Sequence, residues 1–367
     1  MSLRCPTCGA TYHDTARYCT RDGTRLLTSG EVRASLAVAT AATVTPPETP
    51  LHTPAEGASA PLVSPMELAS LSGKVLDGRY TIQSKIGEGG MSYVYRAIDA
   101  KTAQECAIKV LSPALSADTK AMARLKREAE VGQRLVHPNV CHIERLGQTA
   151  AGIVYVVMPF ITGEVLADRT YRLGFVPLEQ VIPFVTQIAA GLHVAHELGI
   201  VHRDLKPENI IISRTEDGRE YAVVMDFGLA KERRPGNDLE KLTATGIVLG
   251  TPEFMSPEQL RGKPLDGRSD VYSLALMTFE MLTGKLPFEG TSQQELMIAR
   301  LRSEPTPLRK VRPELKYPGA VERVLQKGLA RDPDQRYASA PAFAAALAAA
   351  PESTESRITR LFGRGNA

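Results

Sequence analysis

Apolar residues recur along the middle of the chain with two different periods. Short runs rich in β-branched and aromatic residues, which predict strands, are Tyr80–Ile86, Tyr93–Ala97, Glu105–Val110 and Ile153–Met158. Further along, apolar positions at helical spacing cover about residues 178–198 and 340–350, and they predict helices. The first of these is followed by Gly199, a residue that favours the end of a helix.

The parts that flank this region have a different composition. Residues 28–74 are rich in Ala, Thr, Pro and Ser and almost lack aromatic residues, so burial cannot offset the entropy of ordering them. We therefore predict a flexible linker there, and a loose polar tail over residues 350–367.

Overall composition excludes several classes of protein. The chain has 367 residues, 43% of them hydrophobic, which is enough for a sizeable core. A net charge of +3 gives no reason to expect a nucleic-acid partner. No apolar run reaches the ~18–20 residues that span a bilayer, and the N-terminus has no signal-peptide pattern. We expect a soluble, cytoplasmic protein without a transmembrane segment.

Residues 1–27 contain three of the five cysteines in two knuckle-like turns, each ending in glycine. The spacing resembles a zinc ribbon that would bind a structural Zn²⁺, with aspartate in place of the fourth cysteine. Its predicted ligands are Cys5, Cys8, Cys19 and Asp22. His13 is a rival fourth ligand. A degenerate ribbon without metal and a redox pair are the alternatives, but no thioredoxin-like βαβ pattern surrounds the cysteines.

Two short polar loops follow apolar runs near the middle of the chain. His202–Asn209 lies between a predicted helix and the strand-like run Ile210–Ile212. A second run, Tyr221–Met225, leads into Asp226–Gly228, and Asp217-Gly218 predicts a hairpin turn between the two strands. The loops would bring together a base, a cation and two oxygen ligands, which suits metal-assisted phosphoryl transfer. These residues are Asp204, Lys206, Asn209 and Asp226.

The pair of motifs H-R-D-L-x-x-x-N and D-F-G resembles the protein kinase superfamily, and Lys206 resembles its Ser/Thr branch. The resemblance covers residues 75–349 and implies an α+β, two-lobed kinase fold, with a small antiparallel sheet and one helix before a mainly helical lobe. It implies that Asp204 accepts the proton of a protein hydroxyl and that Lys206 neutralises charge on the γ-phosphoryl group of ATP. Asn209 and Asp226 would hold Mg²⁺.

The same resemblance assigns a nucleotide site in the first lobe. Lys109 would bind the α/β-phosphates and pair with Glu128 of a helix over about residues 118–135. On composition alone, Glu128 or Glu130 could be merely solvated. Strand–glycine loop–strand order favours a kinase loop over a dinucleotide fold. The full set of implied nucleotide-binding residues is Ile86, Gly87, Glu88, Gly89, Gly90, Val94, Ala107, Lys109, Glu128, Met158, Ile161 and Ile211.

Residues after the second motif resemble a kinase activation segment. Thr243 and Thr245 are implied sites of autophosphorylation, in trans between self-associating copies, with Arg203 as the partner of the phosphate. Thr251 resembles the threonine that specifies hydroxyl substrates. The resemblance also implies that Asp270 braces the catalytic loop.

Arg336 would pair with Glu258 at the end of the activation segment. The function implied is a bacterial Ser/Thr protein kinase acting on protein substrates. A pseudokinase scaffold and a small-molecule phosphotransferase are the alternatives; the intact Lys109, Asp204 and Asp226 disfavour the first, and the activation segment disfavours the second.

Overall fold

The computed structural model describes residues 2–4, 11–13, 68–89, 92–112, 119–227 and 252–351. The chain forms two compact units, residues 1–123 with 145–160 and residues 124–144 with 161–367. The strands are β1 Ser2–Arg4, β2 Thr11–His13, β3 Val75–Leu76, β4 Tyr80–Gly89, β5 Ser92–Asp99, β6 Glu105–Leu111, β7 Arg145–Gln148, β8 Val154–Pro159, β9 Glu164–Val165, β10 Ile210–Arg214 and β11 Glu220–Val224.

The α-helices are α1 Thr119–Gly132, α2 Leu166–Leu173, α3 Leu178–Glu197, α4 Pro257–Leu260, α5 Gly267–Thr283, α6 Gln293–Arg302, α7 Leu308–Val311, α8 Gly319–Gly328 and α9 Ala340–Ala349. Short 3-10 turns cover Pro207–Asn209, Pro252–Phe254 and Pro333–Gln335. Within the described residues, none of these helices has both the length and the apolar character that a bilayer crossing requires.

The first unit is built on an antiparallel sheet with strand order β3-β4-β5-β6-β8-β7. Alternate side chains of each strand point to the same face of the sheet. The side chains on one of the two faces form a buried core. Tyr95, Ile108, Val110, Tyr155 and Val157 belong to that core. The opposite face carries the residues between them, which the site below uses.

Part of the predicted linker packs into this unit instead of remaining flexible. Leu68 is 1% exposed and Leu71 is 6% exposed, and both join the core of the sheet. Tyr95 Oη donates a hydrogen bond to Leu68 O at 2.5 Å, and Gly73 N donates to Ile82 O at 2.9 Å. The predicted boundary at residue 74 is therefore too late, since apolar residues isolated in a polar stretch gain burial from the neighbouring sheet. Residues 28–67 lie outside the described part.

The second unit is mainly helical and packs around α5. Fourteen of its seventeen residues are buried, which makes α5 the central helix of this unit. α3, α8 and α9 pack against it. The N-terminus of α5 is capped by Asp266, whose side chain accepts a hydrogen bond from Arg268 N at 2.9 Å. Gly284 closes the C-terminus with a left-handed φ of 69°.

Element types were predicted well and boundaries less well. α1 was expected to continue to about residue 135 and ends at Gly132. α5 begins at Gly267, because Asp266 supplies the cap. The predicted hairpin is confirmed: β10 and β11 pair antiparallel around Gly218, which has a φ of 83°. Near the N-terminus, β1 and β2 also pair antiparallel.

Candidate active site

The catalytic loop, His202–Asn209, connects α3 to β10 and is held by one buried carboxylate. Asp270 of α5, 1% exposed, accepts hydrogen bonds from His202 N at 2.8 Å and from Arg203 N at 3.1 Å. Arg203 has a left-handed φ of 66°, a conformation that is costly for a residue with a side chain. The two hydrogen bonds to Asp270 stabilise this turn, which confirms the predicted brace.

A third contact to the same carboxylate was not predicted. His196 Nε2, in the last turn of α3, lies 2.7 Å from Asp270 Oδ2. Its ring fills the space beside Gly267, where a Cβ would come within 2.6 Å of His196 Nδ1. A lone histidine on a mostly apolar helix gives no signal of such a role in the sequence, because the contact depends on how α3 and α5 pack.

Three predicted site residues lie together within the loop: the catalytic residues Asp204 and Lys206, and the Mg²⁺ ligand Asn209. Lys206 Nζ is 3.7 Å from Asp204 Oδ2, and their side chains are 13% and 22% exposed. Asn209 Nδ2 donates to Asp204 O at 2.7 Å and lies 3.3 Å from Asp204 Oδ2. Because the amide nitrogen of Asn209 is occupied in this way, its oxygen is left as an acceptor. The loop thus orders a carboxylate, a cation and an amide oxygen.

The second loop is tied to the first by backbone contacts. Met225 N donates to Asn209 O at 2.8 Å, and His202 Nε2 lies 2.8 Å from Met225 O. The Phe227 ring packs edge-on against His202, with ring centroids 4.7 Å apart. Asp226, which lies between Met225 and Phe227 in the chain, has a left-handed φ of 56°. Asn209 and Asp226 therefore belong to neighbouring backbone segments, and their oxygens are the hard donors that Mg²⁺ prefers.

The predicted nucleotide residues of the first unit share one face of the sheet. Val94 pairs with Lys109 across β5 and β6, and Ala107 pairs with Met158 across β6 and β8. Since Ala107 and Lys109 are two residues apart in one strand, all four side chains point to the same side. Ala107 and Met158 are each 5% exposed. This face is opposite the core of the unit, so a flat ligand could lie against it.

The glycine-rich turn joins β4 to β5. The two strands pair as far as Gly89 and Ser92, and Gly87 lies opposite Val94, whose Cβ would be 3.5 Å from a Cβ at Gly87. Glu88 forms an exposed ion pair with Lys85 at 2.6 Å, and Ile86 is 48% exposed. Gly90 lies outside the described residues.

The remaining predicted nucleotide contacts differ in how far the structure describes them. Ile211 alternates with the buried Ile210 and Ile212 in β10 and is only partly buried, as is Ile161. Glu128 lies in α1, but its side chain is outside the described part. Thr243, Thr245 and Thr251 lie outside the described residues. So do the predicted zinc ligands Cys5, Cys8, Cys19 and Asp22.

The predicted pair Glu258–Arg336 is confirmed and is buried. Two guanidinium nitrogens of Arg336 donate to Glu258 Oε1 and Oε2, both at 2.7 Å, and the two side chains are 0% and 7% exposed. Ser269 Oγ donates to the same carboxylate at 2.6 Å. Burial alone would raise the pKa of Glu258, but Arg336 and Ser269 hold it below its usual value. The end of the activation segment is thereby fixed to the second unit.

Glu280 of α5 is not among the residues predicted from the sequence. Its Oε2 atom is buried and has no hydrogen-bond partner among the described residues. Burial raises the pKa of Glu280 to about 8, and the nearby carboxylates of Glu208 and Glu253 add to the rise. Glu208 belongs to the catalytic loop and Glu253 to the 3-10 turn Pro252–Phe254, so negative charges on both elements act on this carboxyl group.

Replacing Glu280 with glutamine is expected to remove a pH dependence of stability. The unfolded side chain loses its proton near pH 4.5, whereas the folded one keeps it up to about 8. The wild-type free energy of unfolding should therefore fall as pH rises through this window, by about 1.4 kcal/mol per pH unit at most. Urea unfolding at pH 6 and pH 8.5 measures the slope. Glu280→Gln should flatten it, while the exposed Glu216→Gln should not; equal slopes in all three proteins would contradict the assignment.

Comparison with known proteins places this fold and loop geometry in one family. Residues 80–347 match the Protein kinase domain family, and the chain belongs to that family. It is 38% identical over 277 residues to serine/threonine-protein kinase pkn3 of Myxococcus xanthus, covering 76% of this chain and 51% of that protein. It is 37% identical over 278 residues to serine/threonine-protein kinase PknB of Mycobacterium leprae, covering 74% and 43%.

The fold agrees with a solved bacterial structure. The kinase domain of Mycobacterium tuberculosis PknI superimposes with a TM-score of 0.59 at 28% identity, covering 76% of this chain and 99% of that one. The family match and the PknI structure confirm the two-lobed kinase fold, with an antiparallel sheet in one lobe and helices in the other. The chain spans about half or less of the length of the curated relatives named here.

Proposed function

We propose that this chain is a Ser/Thr protein kinase, which transfers the γ-phosphoryl group of ATP to serine or threonine hydroxyls of proteins. The observation that carries the proposal is the ordered set of Asp204, Lys206 and Asn209, tied through Met225 to Asp226. Family membership and the identities to bacterial Ser/Thr kinases support the same activity.

The second unit supplies the residues for phosphoryl transfer. Asp204 orients the incoming hydroxyl and accepts its proton late in the reaction. Lys206, beside Asp204, neutralises negative charge on the transferred group. Asn209 and Asp226 would hold Mg²⁺, which, when bound, neutralises phosphate charge. Because these side chains are fixed by hydrogen bonds and backbone contacts, the site is ordered before the substrate binds.

The first unit supplies the residues for nucleotide binding. Val94, Ala107 and Met158 form the apolar part of the sheet face on which the adenine would lie, and Lys109, on the same face, would bind the phosphates. The backbone of the turn from Gly87 onward would approach the phosphates without side-chain interference. Glu88 is engaged by Lys85, so we assign its role to the backbone rather than to the carboxylate.

Activation belongs to this proposal as well. Arg203 is exposed next to the catalytic Asp204, a position from which a phosphothreonine at 243 or 245 would be bound through charge-assisted hydrogen bonds. Phosphorylation in trans requires transient self-association of two copies. The N-terminal cysteines, with Asp22 or His13, would bind Zn²⁺ in a separate small module.

Incubation of the purified chain with Mg-ATP labelled at the γ-phosphate tests the proposal. We expect label on phosphothreonine and phosphoserine, both in the chain itself and in dephosphorylated casein added as acceptor. Mass spectrometry should locate the former at Thr243 or Thr245. Absence of transfer to any acceptor, with ATP binding retained, would instead favour a pseudokinase scaffold.

A further inference from the structure

Gln259 connects the catalytic loop to the end of the activation segment. It is the third residue of α4, and its side chain is partly buried. Its amide nitrogen Nε2 donates a hydrogen bond of 2.7 Å to the backbone carbonyl oxygen of Arg203, 56 positions earlier in the chain. That carbonyl oxygen and the backbone N–H of Asp204 belong to one planar peptide unit. The contact therefore acts on the peptide unit that carries Asp204.

The oxygen of the Gln259 amide is held by Ser256, the residue that caps α4. Gln259 Oε1 accepts hydrogen bonds from Ser256 N at 2.9 Å and from Ser256 Oγ at 3.0 Å. The backbone N–H of Gln259 donates to Ser256 Oγ at 3.4 Å, which completes a capping box. A backbone N–H can only donate and a carbonyl oxygen can only accept. The partners of the amide therefore fix its orientation, with the nitrogen toward Arg203.

Arg203 lies in a turn that needs support on both sides. Its φ of 66° is in the left-handed region, which is costly for a residue with a side chain. The N–H of Arg203 donates to Asp270 at 3.1 Å, and its carbonyl oxygen accepts from Gln259 Nε2. Asp270 thus holds the peptide unit before Arg203, and Gln259 holds the one after it. The second of these units leads directly into Asp204.

The helix that carries Gln259 is itself fixed to the second unit. The neighbouring Glu258 is bound by Arg336 through two hydrogen bonds of 2.7 Å. On the other side of Gln259 in the chain, the buried Leu260 packs with Met297 of α6. Gln259 therefore extends from a backbone that has little freedom to move, which is what a side chain needs in order to hold another group in place.

We propose that Gln259 is a positioning residue for phosphoryl transfer, which couples the end of the activation segment to the peptide unit that carries Asp204. The inference rests on the proposed kinase function. Gln259 contacts neither ATP nor the reacting hydroxyl in this scheme, because it acts through the carbonyl oxygen of Arg203. Its loss should therefore lower kcat and leave the KM for ATP unchanged.

Gln259→Glu tests this inference because it removes only the donor. Glutamate has the same shape and keeps an oxygen for Ser256 N, but its carboxylate at neutral pH has no hydrogen to donate to Arg203 O. We expect kcat for casein phosphorylation to fall about tenfold, which corresponds to about 1.4 kcal/mol. The KM for ATP should stay within twofold.

Gln326→Glu is the matched control for this substitution. Gln326 is exposed on α8, and its Nε2 donates to Glu322 Oε1 at 3.2 Å, so the same change removes the same kind of donor far from the loop in sequence. This variant should phosphorylate casein at the wild-type rate. An unchanged kcat in Gln259→Glu, or a tenfold rise in its KM for ATP, would overturn the proposal.

Gln259→Met separates positioning from general loss of structure. Methionine has a similar length but loses both the donor to Arg203 and the acceptor for Ser256, which is 0% exposed. We expect the two variants at position 259 to lower kcat to a similar extent, whereas only Gln259→Met should lower the melting temperature, because it leaves Ser256 N without its acceptor. A loss of kcat confined to Gln259→Met would show that Gln259 supports the fold and does not position Asp204.

Amide hydrogen exchange, measured by NMR, gives a readout that does not depend on activity. The amide of Asp204 should exchange faster in Gln259→Glu than in the wild type. The amide of His202, which donates to Asp270 at 2.8 Å, should change little. If the wild-type chain transferred no phosphate, the kinase proposal would fail, but faster exchange at Asp204 would still support the coupling. Unchanged exchange at Asp204 would reject the positioning role even in an active kinase.

Discussion

Replacing Asp204 with asparagine is expected to lower kcat for phosphoryl transfer by about 10²–10⁴-fold, the usual contribution of a positioned general base. Asparagine has the same shape, and the loop contacts through the backbone of residue 204 would persist. Asn209 Nδ2 donates to the backbone carbonyl oxygen of residue 204 at 2.7 Å. The backbone N–H of residue 204 donates to His202 Nδ1 at 3.3 Å. The change therefore removes the proton acceptor and keeps the fold.

Initial rates of casein phosphorylation at saturating Mg-ATP measure this effect, with the melting temperature as a check on folding. Asp217→Asn is the matched control: Asp217 lies at the tip of the β10–β11 hairpin and is 56% exposed. It should phosphorylate casein at the wild-type rate. Retention of more than a tenth of wild-type kcat in Asp204→Asn would show that another group accepts the proton.

The catalytic loop was predictable because its chemistry and its fold depend on the same local residues. Asp204, Lys206 and Asn209 lie within six positions, so their proximity follows from one turn, and the link to Asp226 follows from a short hairpin. Asp270 and Arg336 are distant in sequence, and only the resemblance to a family assigned their partners. The structure confirms both assignments through hydrogen bonds of 2.7 to 3.1 Å.

Residues whose roles depend on helix packing were not predictable. Glu280 and Arg300 are charged positions on helices, and composition alone assigns such residues to a solvated face. Arg300 is 1% exposed, and the Oε2 atom of Glu280 is buried, because α5 is enclosed on nearly every side and α6 packs against Met255 and Leu260. For Leu68 and Leu71 the prediction was wrong in the opposite sense. Their polar, Pro-rich neighbourhood predicted a flexible linker, whereas both side chains pack into the core of the sheet.

Replacing Arg336 with methionine is expected to destabilise the second unit by about 3–5 kcal/mol, the cost of leaving one partner of a buried ion pair uncompensated. The buried Glu258 would retain Ser269 Oγ as a donor but lose both guanidinium bonds. Arg336 also donates to the carbonyl oxygens of Arg268 and Ala330 at 2.9 and 2.7 Å. These acceptors would lose a partner in a buried site, which adds to the cost.

Urea unfolding at pH 7 measures the change, and Arg219→Met provides the matched control. Arg219 forms an ion pair with Asp217 at 2.7 Å, but the two side chains are 81% and 56% exposed, so its loss should cost about 0–1 kcal/mol. A similar small loss in Arg336→Met would mean that water reaches the Glu258 carboxylate.

The double variant Glu258→Met with Arg336→Met identifies the origin of the penalty. With both charges removed, no uncompensated carboxylate remains, and the double variant should be more stable than Arg336→Met alone. Acidification should also reduce the loss of stability in Arg336→Met. Without the guanidinium, burial raises the pKa of Glu258. Protonation at low pH then removes the uncompensated charge. The stability gap between Arg336→Met and the wild type should therefore narrow as the pH falls. A gap that is independent of pH would show that the loss of the Arg336 bonds to backbone carbonyls, rather than the uncompensated Glu258 carboxylate, causes the destabilisation.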